Sequence, residues 1–561
     1  MKRVVVASFM AVLGIYGDLI GCTNFLVTPG ASVNGSSMIT YAADAHVLYG
    51  ELYFRPAADY PPGTLRDVYE WDTNKFLGRV PQLSHTYSVV GNMNEHQVAI
   101  GETTYGGKKE LIDTTAIIDY GSLIYLALER ARTAREAIHI MGDLLAEHGY
   151  HSSGESFSIS DPNEVWIMEL IGKGINMVTE RGKTFNKNKG AVWVAVRIPD
   201  GYVCGHANQA RIQQFPLDDP DNCLYAPDVI YFAREMGYYE GTDEDFSFSD
   251  TYAPVDFGGA RFCEMRVWSF FKEINDDMGQ YFDYVKGEDL ANRMPLFIKP
   301  NRKISNRDLM NFMRDHLEGT ELDMSNDAGA GPFGLPYRWR PLTWELDGKM
   351  YVNERTTATQ QTGFSFIAES RPMKPDFLGG IIWFGIDDAA ATTYVPMYCG
   401  MTRVPESYAV GNGDLLTYSE TAAFWAFSFV SNFSYLRYNV MMEDVRKIQS
   451  ELEDKFSIEV PAIDTAAAVL YETNPDMARE FITNYSVNMG NYTVGRYKKL
   501  GQFLLVKYID GNIKKEENGT FLRNPYGYPV SPDQPGYSEQ WKETVVKDAG
   551  KNLKMPKGEA H

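Results

Sequence analysis

The chain has 561 residues, 44% of them hydrophobic and 23% charged. These are globular proportions, with enough chain to bury a large core. A formal net charge of −21 excludes a nucleic-acid partner, whose phosphates demand Lys and Arg, and favours cationic or zwitterionic ligands. Neither CxxC nor HExxH spacing occurs, so no metal and no other cofactor is expected.

Lys2 and Arg3 precede a mostly apolar run from Val4 to Tyr16, and the small residue Gly21 follows. That is the layout of a secretory signal peptide. The run is shorter than the roughly 20 apolar residues of a membrane span, and no second stretch of spanning length follows. Cleavage after Gly21 makes Cys22 the first residue, with a thiol and a free α-amine on one residue. An α-amine titrates near pH ~8, so it can take the proton of the thiol and later return it to a leaving amine. Two other readings stand beside this one. Cys22 reads equally as an ordinary strand cysteine. Leu19-Ile20-Gly21-Cys22 also reads as a lipobox, in which the cysteine carries lipid and its amine is acylated. The other cysteines, Cys204, Cys223, Cys263 and Cys399, can pair in an exported protein, and the three connectivities stay open.

Thr23–Val27 and Ser36–Tyr41 read as two strands joined through the Asn34-Gly35 turn, with Asp44 past the second. Residues 49–90 are turn-rich. Tyr87–Thr104 reads as strand, turn and strand, with Asn94-Glu95 in a polar turn. Apolar residues recur at helical spacing over Tyr120–His148, with Thr133 as cap of a second helix. Ser156–Leu170 is a hairpin turning at Asp161-Pro162-Asn163-Glu164, and strand character continues through 192–196 and 202–206. Hairpins this tight exclude a regular βαβ series and predict an α+β arrangement. Residues 218–250 are acidic and looser. A helix follows Gly258-Gly259. Another, capped by Ser305, spans 304–317. Ala328–Gly334 is a loop without a phosphate-binding GK[ST]. Strands resume at 363–367 and 380–384. Helices are expected at 419–438, at 443–456 and beyond 460, ahead of an irregular polar tail.

Six segments, in order, resemble the dipeptidase family of cysteine-type N-terminal-nucleophile hydrolases, the family of lactobacillal dipeptidase A. They are Cys22–Val27 with Asp44, Asn94–Ile100, Asp161–Glu169, Ala207–Ile212, Arg266–Trp268, and Trp383–Gly385 with Val395–Gly400. The similarity runs from Cys22 to about residue 440. It implies a four-layer αββα core with insertions, exposure of the cysteine by autoproteolysis or signal-peptide removal, and hydrolysis of dipeptides. The resemblance makes Cys22 the nucleophile, Asp44 the carboxylate that orients its amine, Asn208 an oxyanion-hole residue and Arg266 a late active-site arginine. Substrate contacts are assigned to Tyr41, Glu102, Thr103 and Arg211. Bland readings compete: a strand-end turn for Asp44, a cap for Asn208, a surface ion pair for Arg266. Relatives commonly carry Arg where this chain has Tyr41, so either another arginine fills that role, with Arg211 and Arg266 the candidates, or the thiolate is less activated.

The sequence therefore predicts a signal peptide over 1–21, a catalytic domain over 22–445 and a C-terminal helical extension and tail over 446–561. The expected protein is exported, periplasmic or secreted. It acts on dipeptides, binds no nucleic acid and has no integral membrane span; a homo-oligomer is left open. Two alternatives remain at this stage: an amidase acting on N-acyl amino acids, as in the related choloylglycine hydrolases and penicillin V acylases, and a lipid-anchored surface protein without catalysis. A site for a free substrate amine separates the dipeptidase from the amidase.

Overall fold

The computed structural model describes residues 21–555. Most of the signal peptide expected over 1–21 thus lies outside the described residues.

Two antiparallel sheets make the core of an α+β fold. Their strands, in chain order, are β1 (Asn24–Val27), β2 (Ser37–Asp44), β3 (Phe54–Arg55), β4 (Val89–Val90), β5 (Met93–Asn94), β6 (Ala99–Tyr105), β7 (Gly154–Ser160), β8 (Val165–Gly172), β9 (Ala191–Arg197), β10 (Val203–His206), β11 (Cys223–Tyr225), β12 (Phe297–Ile298), β13 (Thr362–Ser370), β14 (Gly380–Ile386) and β15 (Val395–Tyr398). The first sheet has seven strands in the order β12-β10-β1-β2-β13-β14-β15; the second has eight, β11-β9-β8-β7-β6-β5-β4-β3. Strands β1 and β2 of the first face β6 and β7 of the second.

Side-chain alternation decides what each face meets. In β8, Trp166, Met168 and Leu170 turn outward into a cluster with helices α1 (Tyr120–Leu128) and α2 (Ala134–His148), whereas Val165, Ile167 and Ile171 turn inward. The space between the sheets is partly polar. His206 of β10 lies between Thr103 Oγ1 of β6, 2.8 Å away, and Ser158 Oγ of β7, 2.7 Å away. Burial pushes its imidazole down to about 3, so it is neutral and pins one sheet to the other. Asn24, with its amide turned to satisfy both ends, accepts from Glu102 N at 3.0 Å and donates to Glu102 O at 3.1 Å. Strand β1 thereby grips the strand that carries Glu102.

The outer face of the first sheet is covered by α3 (Met265–Ile274), α4 (Asn306–Phe312), α5 (Ala423–Ser434), α6 (Tyr438–Thr473) and α7 (Pro475–Tyr508). The caps follow the sequence signals. The Thr133 hydroxyl accepts from Glu136 N, and Ser305 forms a reciprocal capping box with Asp308. Asn474 and Pro475 end α6 and open α7, making a hairpin of two long helices.

Several elements differ from expectation. Residues 49–90 hold the edge strand β3, its neighbour β4 and a small hairpin, Leu65–Tyr69 against Phe76–Pro81. The looser acidic stretch contains β11 and the short helices Val229–Glu235 and Phe248–Tyr252. The helix expected over 304–317 ends at Phe312, and Leu317 turns with φ +64°. The polar tail holds a helix, α8 (Glu539–Leu553). The boundary expected at 445 falls inside α6. Buried Glu453 of that helix binds Arg307 at 2.6 Å and Arg314 at 2.5 Å, and Asp464 binds Arg371 at 2.6 Å and Tyr398 at 2.8 Å. The extension thus completes the same core. All five cysteines are free and buried. Cys204 lies in β10, Cys223 in β11, Cys263 before α3 and Cys399 after β15, so the disulfides that an exported chain could form are absent. Among the described residues no helix is long and apolar enough to cross a membrane.

Candidate active site

Cys22 stands two residues before β1, at the open end of the β1–β2 hairpin. Thr23 and Ala42 pair across it, and Gly21 N donates to Asp44 O at 3.1 Å. The side chain is only 3% exposed. It borders a cavity of about 220 Å³ whose wall includes Tyr41, Asp44, Glu70, Asp72, Glu102 and Thr104. Its Sγ lies 3.7 Å from Glu102 Oε1 and 4.0 Å from Tyr41 Oη. The Tyr41 hydroxyl in turn donates to Glu102 Oε1. Burial pushes the thiol well above its usual value, and the nearby Glu102 and Asp44 carboxyls push it further. The Asp44 backbone N–H opposes them. The resting sulfur is therefore a thiol, and it becomes a nucleophile only where a base takes its proton.

Register places Asp44. The β2–β13 ladder shifts between Ala43 and Asp44, a bulge that re-aims the last residue of the strand. The buried carboxyl accepts from Arg355 Nη2 at 2.5 Å and from Thr362 Oγ1 at 2.6 Å. Burial raises its pKa, against the opposing pull of Arg355. Asp44 is a buried ion-pair partner here, and the turn reading does not hold.

Two guanidinium groups flank the Cys22 backbone nitrogen. Arg355 donates to the carbonyl of Gly21 on one side. Arg266 donates to the carbonyl of Cys22 on the other. Arg266 also donates to Thr23 Oγ1, Asn208 Oδ1 and Phe262 O, each at 2.8 Å. It is 1% exposed, so the surface ion-pair reading is excluded. Burial and the neighbouring Arg355 lower its pKa to about 10, which leaves it charged at neutral pH. Asn208 has φ +58°, a left-handed backbone that Asn tolerates better than most residues. Its Nδ2 donates to Thr104 O at 2.7 Å, which leaves one N–H of the amide uncommitted.

The structure thus gathers Cys22, Tyr41, Asp44, Glu102, Asn208 and Arg266 around one point. It does not bring Thr103 or Arg211 there. Alternation along β6 turns Thr103 to His206, and Thr104 reaches the cavity in its place. Arg211 pairs with buried Glu264 at 2.8 Å and donates to the carbonyls of Gly205, Pro295 and Leu296. It holds the chain after β10. Arg355 is the residue that sequence reasoning missed. It lies outside every recognisable segment and reaches Asp44 only through the tertiary fold. Glu70 and Asp72 were missed too, in the stretch read only as turns. The remaining motif residues serve the scaffold. Asn94 fastens its turn to Leu128 O and Ala131 O, and Trp383 donates to Glu369. Among the described residues no group of three or more His, Cys, Asp or Glu side chains is arranged to hold a metal.

The α+β fold thus holds a buried thiol beside the Glu102 carboxyl, with guanidinium groups bracketing its backbone. The comparisons place it further. The chain belongs to Peptidase family C69, whose model matches residues 21–451. It is 23% identical over 409 residues to the probable dipeptidase of Latilactobacillus sakei, covering 70% of this chain and 76% of the relative. It is 24% identical over 406 residues to the probable dipeptidase of Salmonella dublin, covering 69% and 82%. Against the probable dipeptidase B of Lactococcus lactis it is 23% identical over 505 residues, covering 83% and 96%.

Proposed function

We propose that this chain is an exported cysteine dipeptidase of the N-terminal-nucleophile type, with Cys22 as nucleophile and the α-amine of Cys22 as base. One observation carries the reading: the Cys22 thiol lies in the acidic cavity while Arg355, Asp44 and Arg266 hold the backbone on either side of its nitrogen. The C69 family and the dipeptidase names of its relatives agree with it. The layers also agree with an αββα sandwich, since α1 and α2 cover the second sheet and α3 to α7 the first.

Once the leader is removed, the new amine sits beside two guanidinium groups. The Asp44 carboxyl favours its ammonium form and the guanidinium groups its free base, and an α-amine, which ordinarily titrates near pH ~8, supplies free base at neutral pH. It takes the thiol proton as Sγ bonds to the substrate carbonyl carbon. The N–H groups of Arg266 are all committed to protein acceptors, so the remaining N–H of Asn208 is the donor assigned to the developing oxyanion; such a donor is worth about 3 kcal/mol of barrier. The C–N bond breaks, and the leaving amine takes the proton from the Cys22 ammonium. Water then attacks the thioester, gives its proton to the same amine, and the C–S bond breaks to restore the thiol.

The acidic wall favours a dipeptide over an N-acyl amino acid, because a buried carboxyl beside an apolar acyl chain has nothing to pair with. Burial of Cys22 favours the nucleophile over a lipid anchor, since a diacylglycerol on this sulfur is far larger than the cavity of about 220 Å³ that it borders. The reading divides the chain into a leader over 1–21, a catalytic unit over 22–445 and an extension over 446–561. The test is the intact mass and N-terminal sequence of the protein from its native host. A free Cys22 with no added mass supports the proposal. A diacylglycerol or acyl mass on Cys22, or an uncleaved chain, removes the base and overturns it.

A further inference from the structure

Four carboxyls, Asp44, Glu70, Asp72 and Glu102, stand in the wall of the cavity beside Cys22, and the described residues that line it include no Lys, Arg or His. Three of the four are already engaged. Asp44 holds Arg355 and Thr362. Glu102 takes the Tyr41 hydroxyl and is hydrogen-bonded to Glu155 on the next strand. Glu70 takes the Thr73 hydroxyl and lies 3.5 Å from His151 Nε2. Asp72 differs. Among the described residues only the Tyr120 hydroxyl donates to it, at 2.7 Å, onto Oδ1. The charges that act on it are both negative, those of Asp119 and Glu70. It is also the open one: Asp72 is exposed, Glu70 is half-buried, and Asp44 and Glu102 are buried. A ligand arriving from solvent therefore meets Asp72 first.

The carboxyl is held in place before any ligand arrives. Glu70, Trp71 and Asp72 follow the first strand of the Leu65–Pro81 hairpin, and this turn is fastened to the start of α1. Trp71 N donates to Asp119 Oδ2 at 2.7 Å, while Asp119 Oδ1 caps the helix at Ser122 N. The Ser122 hydroxyl donates to Tyr69 O at 3.1 Å. Tyr120 lines the cavity as well, and its hydroxyl lies within electrostatic reach of Cys22, Glu102 and Asp72 together. Asp72 and the thiol thus face one space.

We infer that Asp72 is the counter-ion for the α-ammonium group of the substrate's first residue, and so the residue that makes the site prefer a free peptide amine. The inference rests on Cys22 being the nucleophile. Sulfur bonds to the carbonyl carbon of that first residue, and the α-nitrogen lies two bonds farther, about 2.5 Å away. In a cavity of about 220 Å³, a nitrogen so close to the attacked carbon stays within the acidic wall. An ammonium group carries three donors, and Asp72 Oδ2 is free to accept one. The cation also relieves the repulsion that Asp72 shares with Asp119 and Glu70. An acylated nitrogen brings no charge and leaves those carboxyls facing one another. No bond or proton changes hands in this step.

The experiment uses the processed chain beginning at residue 22. Its substrates are alanyl-alanine and propionyl-alanine, the same molecule with hydrogen in place of the amino group. The wild type is expected to favour alanyl-alanine at least about 30-fold in kcat/KM. Asp72→Asn keeps the size of the side chain and an oxygen for the Tyr120 hydroxyl, and removes the charge. It is expected to bring the ratio to within about threefold, chiefly through the KM of alanyl-alanine. Asp72→Glu, which keeps the charge, is expected to recover part of the ratio. Far-UV circular dichroism and Tm check that both variants are folded. Calorimetric titration of the Cys22→Ala protein with the two compounds reads the same preference without turnover, and adding Asp72→Asn is expected to abolish it. A ratio that survives Asp72→Asn overturns the inference. So does an equal loss on both substrates, which marks a structural role. A wild-type protein that hydrolyses both equally keeps the hydrolase and loses the counter-ion. One that hydrolyses neither overturns the catalytic reading, and the inference with it.

Discussion

Arg355 and Asp44 meet at 2.5 Å in the interior although 311 residues separate them. The same guanidinium holds the carbonyl of Gly21, so one side chain ties the end of β2 to the peptide bond that precedes Cys22. Tyr41, beside the Cys22 thiol, is an uncharged phenol, and Arg355 brings a positive charge in from another part of the fold.

Removing Arg355 leaves a buried carboxylate without its partner. Arg355→Ala is expected to cost about 3–5 kcal/mol of stability, measured by urea unfolding. Arg355→Lys keeps a charge but not the planar fork that spans Asp44 and Gly21, and is expected to recover part of the stability and less of the activity.

Cys22→Ala is expected to lower dipeptide hydrolysis by about 10⁴-fold or more. Replacing Cys204 or Cys399, which lie in other parts of the core, is expected to leave the rate within about threefold. Steady-state rates on a common dipeptide check both. Full activity in Cys22→Ala would sink the mechanism.

Neighbouring threonines on β6 should separate structure from binding. Thr103→Val strands the Nδ1 of His206 and is expected to cost about 1–3 kcal/mol of stability with little change in KM. Thr104→Val removes a hydroxyl from the cavity and the donor to Glu155, and is expected to change kcat/KM by about tenfold. A KM change in the Thr103 variant alone would reverse the assignment.

His206 makes the fold acid-sensitive. Its folded pKa of about 3 lies below the usual value near 6.5, so between these values the unfolded chain binds a proton that the folded chain refuses. Its contribution is complete above pH ~6.5 and is lost as the pH falls toward about 3. At pH 4.5 the loss is about 2–3 kcal/mol. His206→Gln is expected to be less stable than the wild type at pH 7 and to lose less on acidification. Urea midpoints at the two pH values give the difference; parallel losses would refute it.

The helical extension is expected to be inseparable from the catalytic unit. Ending the chain at residue 445 removes Glu453 and Asp464, strands Arg314 and Arg371, and uncovers β15. Such a chain is expected to be insoluble. Ending it at residue 510 spares α6 and α7, and is expected to shift Tm by less than about 5 °C.

The sequence by itself determined the elements near Cys22. The Asn34-Gly35 turn, the hairpin at Asp161–Glu164, the caps at Thr133 and Ser305 and the buried run at 380–384 are local signals, because turn geometry, capping and side-chain period act over a few residues. Cys22 was also legible, from its place after a small residue and an apolar run. Thr103 and Arg211 show the limit. A shift of one residue along a strand reverses the face a side chain meets, and strand phase is set by the partner strands. Sequence alone placed no charge at Arg355, no carboxyl pair at Glu102 and Glu155, and no acidic wall at Glu70 and Asp72. Those arrangements depend on two sheets closing face to face and on distant loops docking against them. Burial then turns ordinary carboxyls and guanidinium groups into partners whose charges are felt at full strength, and burial exists only once the chain has folded.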